Sequence, residues 1–151
     1  MMLIKKREFI MLSLLLLAGL AFSEPAPECI KDGVKYGVTR GSFRSEWWNY
    51  LERGMSYLEG GCYEAALADL DKAIELRKKQ VKKEHDKRRA RTYGLHFTDY
   101  FAHREKGVAL YHLGRYEEAK KELMESLKWV DSERAREYLE MNESRLKALA
   151  H

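Results

Sequence analysis

The sequence has little proline and lacks the short motifs that mark common catalytic sites. Both prolines, Pro25 and Pro27, lie near its start, and the remainder is rich in Leu, Ala, Glu, Lys and Arg. This composition favours an all-helical body. No nucleophile elbow, phosphate-binding loop or run of metal ligands occurs. We therefore expect no enzyme, no cofactor, no bound metal and no small-molecule substrate.

A long membrane-spanning run is also missing. The most apolar stretch, residues 9–22, is shorter than the ~20 residues that comfortably cross a bilayer. It follows a basic head at residues 5–7 and ends in small residues, which predicts a cleaved signal peptide over residues 1–23 and a periplasmic or secreted protein. Cleavage would lower the formal net charge from +4 to +2, so bulk charge indicates no class of partner.

The chain has only two cysteines, Cys29 and Cys62, and export would place both in a compartment where disulfides persist. One interpretation is a bridge between an N-terminal arm, residues 24–44, and the turn of a helix hairpin. The other is two unpaired thiols. The choice depends on the distance between the two residues in space.

The arm itself contains a turn signal at Asp32-Gly33 followed by alternating Val34, Tyr36 and Val38. Because no partner strand is evident, we expect a docked extended arm that covers the first hairpin rather than an independent sheet. Ser42 or Ser45 is the expected cap of the helix that follows.

Residues 47–76 fit two amphipathic helices separated at Gly60-Gly61. Gly54 lies inside the first helix, where glycine costs about 1 kcal/mol relative to alanine. We expect the compensating gain to be a close approach of the two helix axes, with Gly54 against Ala66.

Residues 100–130 repeat this pattern at a constant offset of 53 residues. The matched positions are Gly54 and Gly107, Tyr57 and Leu110, Tyr63 and Tyr116, Ala66 and Ala119, Leu70 and Leu123, and Ala73 and Ser126. Six matches in one register indicate a repeated unit. A last helix over residues 132–150, capped by Asp131 or Ser132, has one apolar side and would shield the second hairpin.

The repeated unit resembles the tetratricopeptide repeat, a helix hairpin of about 34 residues that stacks on copies of itself. The resemblance implies an all-α domain over residues 45–151, in which two hairpins form a right-handed stack closed by the last helix. Two hairpins are marginal for such an array, so the arm, the closing helix or homo-oligomer formation must add stability. The aromatic segments 47–50 and 93–101 are similar to those of exported bacterial members.

In that family the first helix of each hairpin lines a concave face, and the family binds proteins. By alignment the face would carry Trp48, Leu51, Met55, Leu58, Phe101, Arg104, Val108 and Tyr111. Most of these residues are apolar, so we do not expect the family's clamp for C-terminal carboxylates. An apolar groove with one cation suits an amphipathic or aromatic-bearing peptide of a protein partner. Alternatively, Val34, Tyr36 or Val38 of the arm fills it.

The insertion between the repeats, residues 77–99, makes the offset about 19 residues longer than the usual period. Since residues 77–91 contain no glycine or proline, we expect the second helix to protrude as far as Ala90. A return strand would then contact it through Tyr93, Leu95 and Phe97. Thr98 is the expected cap of the next helix.

Basic residues dominate this insertion. Nine of them face only Glu84 and Asp86 over residues 77–91. One hypothesis is a basic helix that binds anionic lipid or an envelope polymer through Lys78, Lys79, Lys82, Lys83, Arg88 and Arg89. The other is a solvated helix face with pairs such as Glu75–Lys79 and Glu84–Arg88. Nucleic acid is not expected, because the protein is predicted to be exported. The solvated face is favoured because aromatic residues are not interleaved with the charges.

The histidines give weak catalytic or metal signals. His96 and His103 lie seven residues apart, but no further ligand follows at metal-site spacing. We expect His103 to be a packed, hydrogen-bonded residue between hairpin helices. His112 and Glu105 could form an acid–base pair on paper, with little specificity.

Overall fold

Helices dominate the computed structural model, which describes residues 25–151. The predicted signal peptide, residues 1–23, lies outside the described residues. The helices are α1 (Trp47–Glu59), α2 (Tyr63–Gln80), α3 (Ala102–His112), α4 (Tyr116–Trp129) and α5 (Glu133–Leu149). The strands are β1 (Cys29–Lys31), β2 (Val34–Tyr36), β3 (Lys87–Arg91) and β4 (Phe97–Tyr100). No helix of this described part is long and apolar enough to cross a membrane.

The helices pack in chain order, each against the next, and α1 and α3 also touch. The two helix turns have the same construction. Gly61 and Gly114 each adopt φ +74°, a conformation that glycine reaches without steric cost. The following residue donates its backbone N–H to the last turn of the helix, from Cys62 to Tyr57 and from Arg115 to Leu110, both at 2.9 Å.

The interior glycines do allow close helix packing, but Ala66 and Ala119 are not their nearest neighbours. A Cβ added at Gly54 would lie 3.1 Å from Leu70 Cγ, and one added at Gly107 would lie 2.6 Å from Leu123 Cγ. The prediction named the wrong partner because the contact falls one helical turn further along the second helix. Leu70 and Leu123 are themselves 53 residues apart, so the repeat register is preserved.

The two hairpins meet at their first residues. Trp47 and Tyr100, both fully buried, form an edge-to-face pair with ring centroids 5.3 Å apart. The guanidinium of Arg77 lies 4.6 Å from the Trp47 ring and 5.0 Å from the Tyr100 ring. Arg77 therefore belongs to the core and not to a basic surface. Ala90 and Ala102 complete this cluster.

The arm forms a small hairpin of its own, so the expectation of a lone docked segment is wrong. β1 and β2 pair antiparallel, and a disulfide joins Cys29 to Cys62 with a Cα–Cα distance of 6.2 Å. Tyr57 donates its hydroxyl to the carbonyl of Pro27 at 2.8 Å. A side chain at Gly60 would collide with Cys29 Sγ at 2.7 Å. The partner strand escaped prediction because each strand has only three residues.

The insertion is a β-hairpin, and the predicted helix to Ala90 is wrong. α2 ends at Gln80, Val81 is extended, and β3 pairs antiparallel with β4. A continued helix would stack lysines four residues apart, which repel each other. It would also carry Ala90 away from the core cluster that buries it. Tyr93, Leu95 and Phe97 accordingly touch no helical extension.

One helix cap was predicted correctly and two were not. Ser132 caps α5 and accepts a hydrogen bond from the backbone of Ala135. The residue before α1 is Glu46, since Ser45 adopts φ +57° and Ser42 lies too early. Thr98 lies within β4. The cap of α3 comes instead from outside the helix, as described below.

Candidate functional site

Two clefts are lined in part by α1. The larger, of about 910 Å³, lies between α1, the chain after β2 and the β3–β4 hairpin. The smaller, of about 410 Å³, lies between α1, the start of α2, α3 and α5. Met55 and Glu59 line both clefts. The two clefts thus adjoin at these shared residues, called the junction, and are together called the α1 groove below.

Six of the eight predicted concave-face residues line this groove. Trp48, Leu51 and Met55 border the larger cleft, while Leu58, Arg104 and Val108 border the smaller one with Met55. The remaining two, Phe101 and Tyr111, line neither cleft. Phe101 is buried beneath the guanidinium of Arg104, which lies 4.0 Å from its ring. Tyr111 packs edge-to-face against Tyr116 and Tyr138.

The smaller cleft has a charged floor that goes beyond the one predicted cation, Arg104. Glu105 is buried and accepts hydrogen bonds from Arg104 Nε at 2.7 Å and Arg134 Nη2 at 3.1 Å. One carboxylate thus serves two guanidinium groups. The Arg134 side chain is still 45% exposed, so it remains accessible to a ligand.

A flat aromatic rim borders the same cleft. Tyr63 and His112 stack with their rings 4.4 Å apart and nearly parallel, and His112 Nε2 is 3.0 Å from the Tyr138 hydroxyl. Burial and the nearby Arg134 lower the pKa of His112, which favours the neutral ring at pH 7. His112 and Glu105 therefore have separate partners and form no acid–base pair.

Aromatic and ionic groups also border the larger cleft. Trp48 and Tyr93 approach to 5.9 Å between ring centroids, and Tyr93 stacks on His96 at 4.4 Å. Arg40 and Glu52 form an ion pair at 2.9 Å. The arm does not fill this cleft, because only Val38, Thr39 and Arg40 reach its rim.

Beside the groove lies a buried ionic cluster centred on His103. Its Nδ1 lies 2.6 Å from a Glu122 carboxylate oxygen and its Nε2 lies 2.9 Å from a Glu84 oxygen. Burial opposes the charged ring, but these two hydrogen bonds outweigh burial and raise the pKa of His103 to about 10. His103 is thus a hydrogen-bonded imidazolium between hairpin helices, and the predicted packed role is confirmed.

Neighbouring charges complete the cluster. Lys106 bridges Glu122 at 3.0 Å and Asp71 at 2.8 Å, which links α3, α4 and α2. Tyr100 donates its hydroxyl to Glu84. Burial opposes ionisation of Glu84 and Glu122, yet the hydrogen bonds to His103 and its neighbours lower the pKa of both carboxyls.

Asp86 supplies the missing cap of α3 from the insertion. Its two carboxylate oxygens accept the backbone N–H groups of His103 and Arg104, each at 3.0 Å. A buried carboxylate is costly, and burial raises the pKa of Asp86. The N-terminal end of α3 offsets part of this cost because its free N–H groups and dipole favour an anion.

The roles of Glu84 and Asp86 were missed by the sequence reasoning, which paired Glu84 with Arg88 on a helix. A usable signal was present, since they are the only two acids in an otherwise basic stretch. Both turn inward, and their side chains are almost completely buried. Two acids in an otherwise cationic segment therefore indicate side chains that pair with groups inside the protein.

The predicted anion-binding residues do not form a helix face. Lys78 and Lys79 lie in the last turn of α2, where Lys79 pairs with Glu75 at 2.6 Å as predicted. Lys82 and Lys83 follow in the loop, and Arg88 and Arg89 lie on β3. Among residues 25–151, no group of three or more side chains is arranged to hold a metal ion.

In comparisons with protein families and with curated proteins, the chain has no significant match.

Proposed function

We propose that this chain is a non-enzymatic interaction module whose two helix hairpins are tetratricopeptide-type repeats in a right-handed stack. The support is the equivalence of the hairpins at an offset of 53 residues. Their turns have glycine at the same position with the same φ. Their interior glycines pack against the equivalent residues Leu70 and Leu123. Fold likeness alone does not identify a function. The proposed binding activity therefore rests on the α1 groove.

The ligand in this proposal is a peptide segment of a protein partner, bound along the α1 groove. The observation that carries it is the junction at Met55 and Glu59, where a cleft of about 910 Å³ adjoins one of about 410 Å³. Met55 is 39% exposed at that junction and offers a flexible apolar contact. Arg134 and Glu59 offer charged contacts beside it, so an amphipathic peptide suits the lining.

A methionine pair gives a matched test of the groove. Met55→Lys places a charge at the junction, whereas Met141→Lys places the same charge on α5, at a residue that is 41% exposed and lines neither cleft. Peptides selected from a library against the purified protein should bind the Met55→Lys variant at least tenfold more weakly. They should bind the Met141→Lys variant as well as the parent.

Circular dichroism should show the same helix content in both variants. Equal binding by both variants would rule out the groove. If only the Met55→Lys variant loses binding, a photocrosslinker at position 55, followed by mass spectrometry, identifies the cellular partner. A photocrosslinker at position 141 is the control.

Export is part of this proposal. It is supported by the signal-peptide pattern of residues 1–23 and by the Cys29–Cys62 disulfide, a bond typical of oxidising compartments. N-terminal sequencing of the protein recovered from the periplasm or medium should begin at Glu24. Recovery of intact Met1 in the cytoplasm would contradict export.

A further inference from the structure

The β3–β4 hairpin ends in a largely exposed apolar tip, in which Tyr93 also contacts Trp48 of α1 and both Tyr93 and Phe97 border the larger cleft. Leu95 is 85% exposed, Tyr93 52% and Phe97 47%. Exposed apolar residues scattered singly are ordinary, but three at the end of one hairpin form a patch that favours association. Leu95 lines neither cleft of the α1 groove, so peptide binding in the groove does not explain why this leucine is exposed.

Cations line β3, the strand that leads to this tip. Lys87, Arg88, Arg89 and Arg91 are all exposed on β3. The two acids that could neutralise them, Glu84 and Asp86, are turned into the core, where they hold His103 and cap α3. Asp99 is the one exposed acid between Val81 and Tyr100, and it lies 4.0 Å from Arg88. The outer surface of the hairpin is therefore strongly positive.

The backbone of the tip already has internal hydrogen bonds. Thr92 donates to the His96 carbonyl at 2.9 Å, and His96 donates to the Tyr93 carbonyl at 2.8 Å. Arg91 Nε donates to the Gly94 carbonyl at 2.6 Å. Since unpaired backbone groups are what most opposes entry into a membrane, this closed turn lowers the cost of leaving water.

The base of the hairpin is held rigidly. Ala90 and Tyr100, which belong to its two strands, are fully buried in the core cluster. Asp86, just before β3, is fixed by two hydrogen bonds to the start of α3. The tip is therefore presented in one orientation, and little conformational entropy is lost when it binds.

We propose that the β3–β4 hairpin docks this protein on the surface of an anionic phospholipid bilayer. Leu95 enters the headgroup–acyl boundary, and Tyr93 and Phe97 lie at headgroup level, where amphipathic and aromatic side chains are favoured. Arg89 and Arg91 pair with lipid phosphates, and each basic residue near such a surface strengthens binding about fivefold. The protein lies on the membrane and does not span it.

Sedimentation with phosphatidylcholine vesicles, with and without phosphatidylglycerol, tests the proposal on the purified protein. Binding should require phosphatidylglycerol and should weaken when salt rises to ~0.5 M, where the Debye length is only a few Å. Arg89→Gln with Arg91→Gln should weaken binding more than tenfold. Lys121→Gln with Lys147→Gln removes the same charge from exposed sites on α4 and α5 and should leave binding unchanged.

Leu95→Ser tests the apolar contribution to membrane binding. Leu149→Ser is its control, since Leu149 is also an exposed leucine. The former should lose at least fivefold in binding and the latter should lose none. A Leu95→Trp variant should show a blue-shifted emission on anionic vesicles, and a Leu149→Trp variant should not.

Several results would overturn membrane docking. These are no retention on anionic vesicles at low salt, equal losses in the charge-matched variants, and a Leu95→Trp emission that does not move. Weakening by the arginine variant without any effect of Leu95→Ser would indicate a soluble polyanion in place of a membrane. None of these variants changes a residue of the Met55 junction, so the peptide-binding proposal stands or fails separately.

Discussion

The two helix hairpins share one pattern, but the segments outside them support them in different ways. The first is held covalently, by the Cys29–Cys62 bridge to the arm and by the Tyr57 hydroxyl on Pro27. The second is held by buried charges, with His103 between Glu84 and Glu122 and with Asp86 on the start of α3. In each case the support comes from a short β-hairpin, or from the residues just before it, outside the four helices of the two pairs.

A hairpin alone buries too little apolar surface, and each one here gains an added layer from a neighbouring non-helical segment. The covalent support acts mainly by restricting the unfolded chain. The ionic support depends on every buried charge keeping its partner. These supports should therefore fail under different conditions.

The largest effect is expected from His103→Gln. Removing the imidazolium leaves Glu84 without its ion-pair partner in a buried site and Glu122 with only Lys106. Breaking a buried pair in this way costs about 3–5 kcal/mol. Chemical denaturation monitored by circular dichroism measures the free energy of unfolding. A loss below ~1 kcal/mol would show that the ionic cluster is not the support of the second hairpin.

The disulfide should contribute nearly as much to the first hairpin. The bridge has a sequence separation of 33 residues, and a loop of that size corresponds to about 3–4 kcal/mol of unfolded-state entropy. Cys29→Ser with Cys62→Ser should lower the free energy of unfolding by that amount, and dithiothreitol should do the same to the parent. A reductant should leave the double variant unchanged. Equal sensitivity of both proteins to reductant would argue against the bridge.

Alkaline pH should weaken the ionic support alone. The pKa of His103 rises on folding from 6.5 to about 10, so its contribution is complete below pH 6.5 and is lost as pH rises towards 10. The slope cannot exceed about 1.4 kcal/mol per pH unit for one proton. The parent should lose stability between pH 7 and pH 9 relative to His103→Gln at the same pH. Parallel profiles would refute a raised pKa.

Acidic pH should weaken the ionic cluster as well. The pKa values of Glu84 and Glu122 fall on folding, so their contributions are present above their unfolded pKa values of about 4.5 and are lost as pH falls further. Below pH ~4 the cluster should weaken again. The disulfide-bonded arm should show no matching change in either range.

The smallest effects concern the two interior glycines. Gly54→Ala meets only Leu70 and Asp69 side-chain atoms at 3.1–3.3 Å, whereas Gly107→Ala meets Leu123 Cγ at 2.6 Å and its backbone nitrogen at 3.2 Å. Alanine gains about 1 kcal/mol of helix propensity at each position, but overpacking costs about 1–3 kcal/mol. We expect Gly54→Ala to be near neutral and Gly107→Ala to destabilise by about 1 kcal/mol. Thermal unfolding compares them directly, and the reverse order would contradict the packing described here.

Prediction from sequence succeeded where local rules apply and failed where distant contacts decide. The mostly helical body and the Ser132 cap follow from periodicity and capping chemistry, which act over a few residues. The course of residues 81–100 did not follow from such rules. No apolar stripe marks that stretch, and its strands form because Asp86 and Ala90 find partners on α3 and in the core.

The residues of the candidate site also fall into those that local spacing predicts and those that distant contacts decide. Alignment by the repeat register placed Trp48, Met55 and Arg104 among the groove residues, because a helix face is determined by spacing of 3.6 residues. It could not place the walls contributed by Tyr93 and Arg134, which come from the insertion and α5. These approach α1 and α3 only through packing between elements distant in sequence.

The amino-acid sequence by itself determined two similar helix pairs and a closing helix, because helical spacing and glycine turns act within single segments. Only the tertiary structure decided that Cys29 meets Cys62, that Glu84 and Asp86 turn inward, and that the cations and Leu95 remain outside. The physical reason is that bonding and burial of charge depend on which distant groups come within a few ångströms, and local periodicity carries no record of those distances.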